Sequence, residues 1–483
     1  MDPSLGEAAR EDGSRELPQR HVEGEIPNSS SPPFLYLLRR REYRHALFSG
    51  IVTLTLSIMG GAVLPVSNAF TTTGIVCGFL IMLVVALANT YTCDLLLRQA
   101  YCTGALNYES LAFHIGGKWW KLATEISIVV LLIGTIIGNI QQVSEAAVIG
   151  IENITSNAPS WLTGSGRVLM ILSVVFIVAP ICLVEKMRQL EFFATVGTSI
   201  VIWLLVVIVI DAIRFKLPAV KNGELAAVGF TSIGSITQAI STFGFAFYVQ
   251  PMMMPFLAEM PAGKVGVKLT SYSVRVVILG TSFFIYGTIG FFGAARYGSL
   301  TSENILENKW LGGGVPQGSL NLAMAGMSLG SFDNLLIGCR SLTVYLAFAI
   351  PTVEFPTRYT INRWIPGDKK QNRFLRHLCI SAGILVFCTG ISLISPNNSG
   401  AIITITGATG VSMVSYTIPV VNHFLLFFQR AKCQKQADGI GSVLKYRKDT
   451  WYSIVQEYAK EVVLPAFVIV VGIFCSIAAL TTL

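Results

Sequence analysis

The sequence is short of charge. Only 13% of its 483 residues are Asp, Glu, Lys or Arg, against roughly 25% in an ordinary soluble domain. With 52% hydrophobic residues, that deficit excludes a soluble globular protein and implies one embedded in a bilayer. Histidine is scarce as well: there are five, and no His-Glu-x-x-His pair. The nine cysteines include no CxxC and no Cys/His spacing suited to zinc. Cys77, Cys182, Cys388 and Cys475 fall inside hydrophobic runs and read as small apolar residues. No glycine-rich loop ends in Gly-Lys-Ser/Thr, and no Gly-x-Ser-x-Gly sits on a strand–turn–helix pattern. These absences predict no enzyme, no cofactor and no metal. The formal net charge is +8, but no basic run interleaved with aromatics occurs, so nucleic acid is not an expected partner. Residues 1–33 are polar, acidic and rich in Ser, Pro and Glu. They carry no apolar core for a signal peptide and no lipidation motif, and they read as part of a disordered tail over 1–44.

What is present is a series of long apolar runs. A helix needs about 20 apolar residues to cross a bilayer. Runs of that kind lie at 46–70, 74–97, 122–149, 167–184, 192–213, 231–257, 273–294, 335–355, 376–395, 399–427 and 462–481. The expectation is an all-α membrane protein of about 11 transmembrane helices, with the transmembrane domain over 45–483. Basic residues sort to one side. Arg39–Arg41 and Arg44 precede the first span, and Lys186 and Arg188, Lys264 and Lys268, Arg358, Arg363, Arg373 and Arg376 follow even-numbered spans. By the positive-inside rule these ends and the N-terminus are cytoplasmic. Asn153-Ile154-Thr155 then lies outside and is a candidate glycosylation site. The stretches Tyr108–Gly117 and Pro261–Ser273 look amphipathic and read as interfacial helices. The charges Asp94, Glu125, Glu145, Glu259, Asp333 and Arg340 fall near span ends, where an anchoring role competes with a functional one.

Two of the runs are interrupted. The first is broken by Gly60-Gly61-Ala62-Val63-Leu64-Pro65. The sixth is broken by Phe243-Gly244-Phe245-Ala246-Phe247, followed by Pro251 and Pro255. Broken spans five apart, in matching places of two five-span halves, are the sequence mark of a secondary transporter built from inverted repeats. The halves are expected at about 46–213 and 231–427, with an extra helix at about 462–481. Unwinding at Gly60-Gly61 would free backbone N–H groups at the positive end of a half-helix, which suits a carboxylate. The aromatics about Gly244 would form the facing wall. Glycine pairs also mark close helix packing, and single phenylalanines more often fill a core.

These residues resemble the amino acid/auxin permease family, within the amino acid–polyamine–cation superfamily, and its neutral amino acid transporter-like branch. Ile58–Pro65 with Asn68-Ala69-Phe70 is similar to that family's opening glycine-rich motif. Tyr108–Ala112, Leu183–Leu190, Phe243-Gly244-Phe245, Ala294–Gly298 with Asn304-Ile305-Leu306, and Pro351 with Phe355-Pro356-Thr357-Arg358 resemble later motifs in the same order. The resemblance implies a five-plus-five inverted-repeat fold with discontinuous helices 1 and 6, working by alternating access on an amino acid. It implies that Gly60, Gly61 and Ala62, beside Met59, contact the substrate's carboxylate and amino group. Phe245 and Phe247, beside Phe243, would face its side chain. Sodium-coupled relatives tend to carry a hydroxyl residue just before the position of Pro351; here Ala349-Ile350 stands there, leaving Ser341 and Thr343 further out as candidate ion-coupling residues. The coupling ion is H+ or Na+, with the missing hydroxyl favouring proton-driven or uncoupled transport. The alternative is a membrane amino acid sensor of the same fold with little flux. The membrane is the cell surface or a vacuole- or lysosome-like compartment.

Overall fold

The computed structural model describes residues 40–59, 61–154, 166–183, 191–214, 216–227, 233–261, 263–302, 335–365, 373–394, 399–438 and 462–481, with single positions between them that include Asn304, Ile305 and Asn308. Every regular element among the described residues is helical. Among the described residues, beside the single helical turn Pro218–Lys221, thirteen longer helices organise the fold: α1 Arg41–Met59, α2 Val66–Thr73, α3 Ile75–Thr103, α4 Tyr108–Ile154, α5 Arg167–Cys182, α6 Glu191–Arg214, α7 Ile233–Phe247, α8 Gln250–Glu259, α9 Lys264–Leu300, α10 Leu335–Trp364, α11 Arg373–Ile394, α12 Ser399–Phe428 and α13 Leu464–Thr481. Among the described residues, six of them (α3, α4, α9, α11, α12 and α13) are long and apolar enough to cross a membrane by length and composition.

Sequence chemistry sets the helix bounds. α3 ends at Gly104, whose positive φ of 72° closes the last turn through its N–H to the Ala100 carbonyl, a glycine C-cap. α4 bends at Gly117 (φ 77°, ψ −165°), a conformation that only glycine adopts without strain. Tyr108–Gly117 is therefore a helical segment of its own direction. The other amphipathic stretch behaves differently: Lys264–Arg275 runs unbroken into the following span, because nothing between Ser273 and Phe283 stops it and the helix relaxes into π geometry over Val276–Ser282. α12 likewise passes through π geometry over Gly407–Thr417 and continues in helical form to Asp438, beyond the expected end at 427.

Buried polar contacts fix the order of packing. Toward the start of α4, Thr360 Oγ1 donates to Glu109 (2.6 Å) and the indole of Trp364 donates to Glu125 (2.8 Å), which ties the end of α10 to α4 on both sides of the Gly117 bend. At the opposite end Asn304 and Ser399 donate to Glu145 Oε2 (3.0 and 2.9 Å). Arg358 of α10 donates to Glu354 (3.0 Å), to Ser381 of α11 (3.2 Å) and to the Cys182 carbonyl at the end of α5 (2.7 Å). Arg275 pairs with Asp94 at 2.6 Å. Asp94, Glu125 and Glu145 thus tie α3 and α4 to neighbouring elements. The tail 1–39 and Asp333 lie outside the described residues.

Candidate functional site

The first interruption is present. α1 stops at Met59, a single 3-10 turn covers Gly61–Val63, and α2 starts at Val66. Breaking a helix inside an apolar environment leaves carbonyls at one cut end and N–H groups at the other, and each must find a partner. The hydroxyl of Tyr286, reaching across from α9, donates to the Ile58 carbonyl at 2.9 Å. The Ile305 N–H reaches the Leu64 carbonyl at 3.4 Å. Pro65 at the N-cap of α2 offers no side-chain cap, so the positive end of α2 faces the break. Met59, Ala62 and Val63 are fully buried. Gly60 lies outside the described residues.

The second interruption is present but displaced. α7 runs unbroken through Phe243, Gly244 and Phe245 to Phe247. The break falls at Tyr248–Val249, and the chain resumes as α8 at Gln250. The expected hinge at Gly244 is therefore corrected by four to five positions. Gly244 sits against α12, where an added Cβ would make ordinary contact with Tyr416 Oη at 3.7 Å. The device that ends the helix is Pro251 in the first turn of α8. A proline is tolerated there because that turn's N–H groups have no intrahelical partner, whereas it cannot continue a helix arriving from before it.

A buried polar network holds this second break. The Val249 N–H donates to Gln250 Oε1 at 2.9 Å, and Ser415 Oγ donates to the same oxygen at 2.8 Å. Gln250 Nε2 donates to Asn89 Oδ1 (3.1 Å) and Thr92 Oγ1 (3.0 Å). Asn89 Nδ2 in turn donates to the Tyr416 hydroxyl at 2.8 Å. Gln250, Asn89, Thr92 and Ser415 are each 0% exposed. The network joins α3, α8 and α12, and sequence reasoning missed it entirely.

The aromatics proposed as a wall divide into two groups. Phe243 meets Phe70 of α2 edge-on, with ring centroids 5.8 Å apart. Phe247 meets Tyr286 edge-on at 5.4 Å and so braces the hydroxyl that caps α1. Phe245 points the other way, to Tyr248 at 5.5 Å, whose hydroxyl lies 3.0 Å from Thr135 of α4. Both breaks therefore abut α4, since the Gly61–Val63 turn also packs on it and on α7. Ser341, Thr343 and Asn153 sit within α10 and α4, with their side chains outside what is described.

Two cavities border the breaks on opposite sides. One, of about 590 Å³, lies between α1 and α8; Glu42, His45, Ser49, Thr53, Phe256 and Glu259 line it. The other holds only about 20 Å³ and lies between α2, α7 and the start of α12; Asn68, Thr72, Gln238, Thr242 and Thr404 line it. Each half of each interrupted helix thus lines one cavity.

Comparison with known proteins identifies a family. Residues 44–438 match the family model described as transmembrane amino acid transporter protein. The chain is 23% identical over 416 residues to the sodium-coupled neutral amino acid symporter 2 of Danio rerio, covering 82% of this chain and 78% of that protein. It is 24% identical over 384 residues to solute carrier family 38 member 10 of Mus musculus and of Homo sapiens, covering 77% of this chain. It spans only about a third of those longer proteins, 33% and 32% respectively.

Proposed function

This chain belongs to the family of transmembrane amino acid transporter proteins, and on that premise we propose that it carries amino acids, neutral ones first, across a membrane by alternating access. The observation that carries the reading is the pair of cavities. The same two interrupted helices line both, one of about 590 Å³ and one of about 20 Å³, on opposite sides of a sealed centre. That asymmetry suits a carrier standing open toward the end that bears Arg41 and closed toward the other.

The substrate sits between the breaks. Its carboxylate lies against the N–H groups at the uncapped start of α2 and the Gly60-Gly61-Ala62 backbone, where the half-helix dipole favours negative charge. Met59, Phe243, Phe245 and Phe247 supply the apolar surround, and the second break beside Tyr248 supplies carbonyls for the ammonium. Movement of α1 and α8 against α4 then exchanges the open cavity from one side to the other. The five-plus-five inverted repeat, the eleven spans, the cytoplasmic N-terminus and a glycan at Asn153 belong to the same proposal.

Coupling is read as proton-driven or uncoupled. The Danio rerio relative is a sodium-coupled symporter by name. Here Ala349 and Ile350, both buried, precede Pro351, and the nearest hydroxyl, Thr352, donates to the Ala349 carbonyl at 2.7 Å. Ser341 and Thr343 remain the candidate ion ligands if sodium is used.

The test is uptake of a panel of radiolabelled amino acids into proteoliposomes, with sodium replaced and with a pH gradient imposed. Saturable uptake of neutral amino acids that survives sodium replacement is expected, and Gly61→Leu should abolish it in protein that still inserts. Binding without flux would instead make the chain a sensor, and normal uptake by Gly61→Leu would remove the site from the first break.

A further inference from the structure

A third cavity, of about 260 Å³, lies away from both breaks, between α3, α7, α12 and α13. Its walls are aliphatic and aromatic, and its rim is formed by side chains on the outside of the molecule: Leu80 is 56%, Val84 59% and Phe467 61% exposed. In a membrane protein such a rim faces hydrocarbon, so whatever enters comes from the bilayer rather than from water.

The few polar groups on the wall are already engaged inside the protein. Ser412 and Ser476 both donate to the Gly472 carbonyl, at 3.3 and 2.7 Å. Ser241 donates to the Thr404 carbonyl at 3.2 Å. The Tyr416 hydroxyl accepts from Asn89. A zwitterion or a cluster of waters placed here would give up its hydration against a wall that is mostly apolar and whose polar side chains are already bonded within the protein. A neighbouring helix, about 10 Å across, is too wide to enter a space of this size. An engineered apolar cavity of about 150 Å³ takes a benzene molecule, so this one has room for several methylenes.

We propose that this cavity is a binding site for one lipid acyl chain, inserted from the bilayer between α3 and α13. The site matters for the rest of the molecule because Tyr416 belongs to both: its ring lines the cavity and its hydroxyl joins the network that fixes the second break. The chain therefore leans on the side chain that anchors Gln250 through Asn89. The π-helical stretch Gly407–Thr417 forms the inner wall, and π turns of this kind recur at functional sites.

The test uses the full chain in phosphatidylcholine vesicles doped with a phosphatidylcholine that carries a diazirine midway along one acyl chain. After photolysis, adducts are mapped by peptide mass spectrometry. Adducts are expected to concentrate on peptides spanning 407–412 and 468–476. Val471→Trp on α13, a helix outside the proposed repeats, should lower them at least fivefold while adducts at outward-facing Ile202 and Ile210 stay unchanged. Should Val471→Trp not fold, judged by size exclusion, Val84→Trp at the mouth gives the same reading. Adducts spread over the belt in proportion to exposed area, adducts indifferent to both tryptophans, or cross-links to a second copy of the chain in place of lipid would each overturn the proposal. The readout is the lipid adduct and does not depend on whether amino acids are transported.

Discussion

Replacing Gln250 with leucine keeps the approximate size of the side chain and removes all of its polar contacts at the second break. Four contacts go: those from the Val249 N–H, from Ser415 and to Asn89 and Thr92. They do not weigh equally. Ser415 can turn its hydroxyl to a local carbonyl, and Thr92 already donates to the Asn89 carbonyl at 3.1 Å. The Val249 N–H, buried where α7 has ended, and Asn89 Oδ1, buried within α3, have no such recourse. At about 1–3 kcal/mol for each orphaned group, Gln250→Leu should destabilise the protein by about 2–6 kcal/mol. A cycle with Asn89→Leu sharpens the test. Removing both partners of a buried pair costs less than removing one, so the double variant should fall short of the sum of the singles by about 1 kcal/mol or more. The assay is reversible unfolding in mixed micelles, read by tryptophan fluorescence, with uptake measured in parallel. A Gln250→Leu protein within 0.5 kcal/mol of the parent, roughly the scatter of neutral surface changes, or strictly additive costs in the cycle, would refute the claim that this network holds the break.

Three further outcomes follow from the same geometry. Tyr286→Phe keeps the ring against Phe247 but uncaps the Ile58 carbonyl, and should lower unfolding stability by about 1–3 kcal/mol while reducing uptake more than an equal destabilisation placed on α13. Arg358→Met leaves Glu354 buried without its charge partner, with only Ser381 still donating to it at 2.8 Å, and should cost about 3–5 kcal/mol, whereas the double change with Glu354→Leu should recover most of that loss; denaturant titration of the three variants decides it. Gly290→Ala places a Cβ 2.4 Å from Cδ2 of Phe70, and should cost about 1–3 kcal/mol through overpacking, relieved in part by Phe70→Leu in thermal unfolding.

The first break was legible because its cause is local: two glycines and a proline within six residues leave a helix no way through. The second was misplaced because glycine misleads inside a packed membrane helix. Gly244 stays helical when α12 closes over it, and the proline at 251 ends the run by the rule for a helix start. Sequence also could not show Gln250 with Asn89 and Ser415, since the partners lie 161 and 165 residues away along the chain and neither position carries a charge that would flag it. Glu354 was overlooked for a related reason: nothing in its local sequence shows that α5 and α11 close around it and leave it 1% exposed. Phe243, Phe245 and Phe247 were read as one wall because they cluster in sequence; alternate residues of a helix diverge in direction, and only packing reveals that Phe243 and Phe247 brace α2 and α9 while Phe245 turns to Tyr248.

The most direct test of the central claim, one site opened in turn to either side of two broken helices, is side-specific cysteine labelling. In a background free of native cysteines, Thr53→Cys reports the larger cavity and Gln238→Cys the smaller one, each probed with a membrane-impermeant thiol reagent in sealed vesicles, with and without a saturating neutral amino acid. The account predicts opposite changes: adding the amino acid slows labelling at one position and speeds it at the other. Labelling rates that ignore the amino acid at both positions, or that rise together, would contradict it.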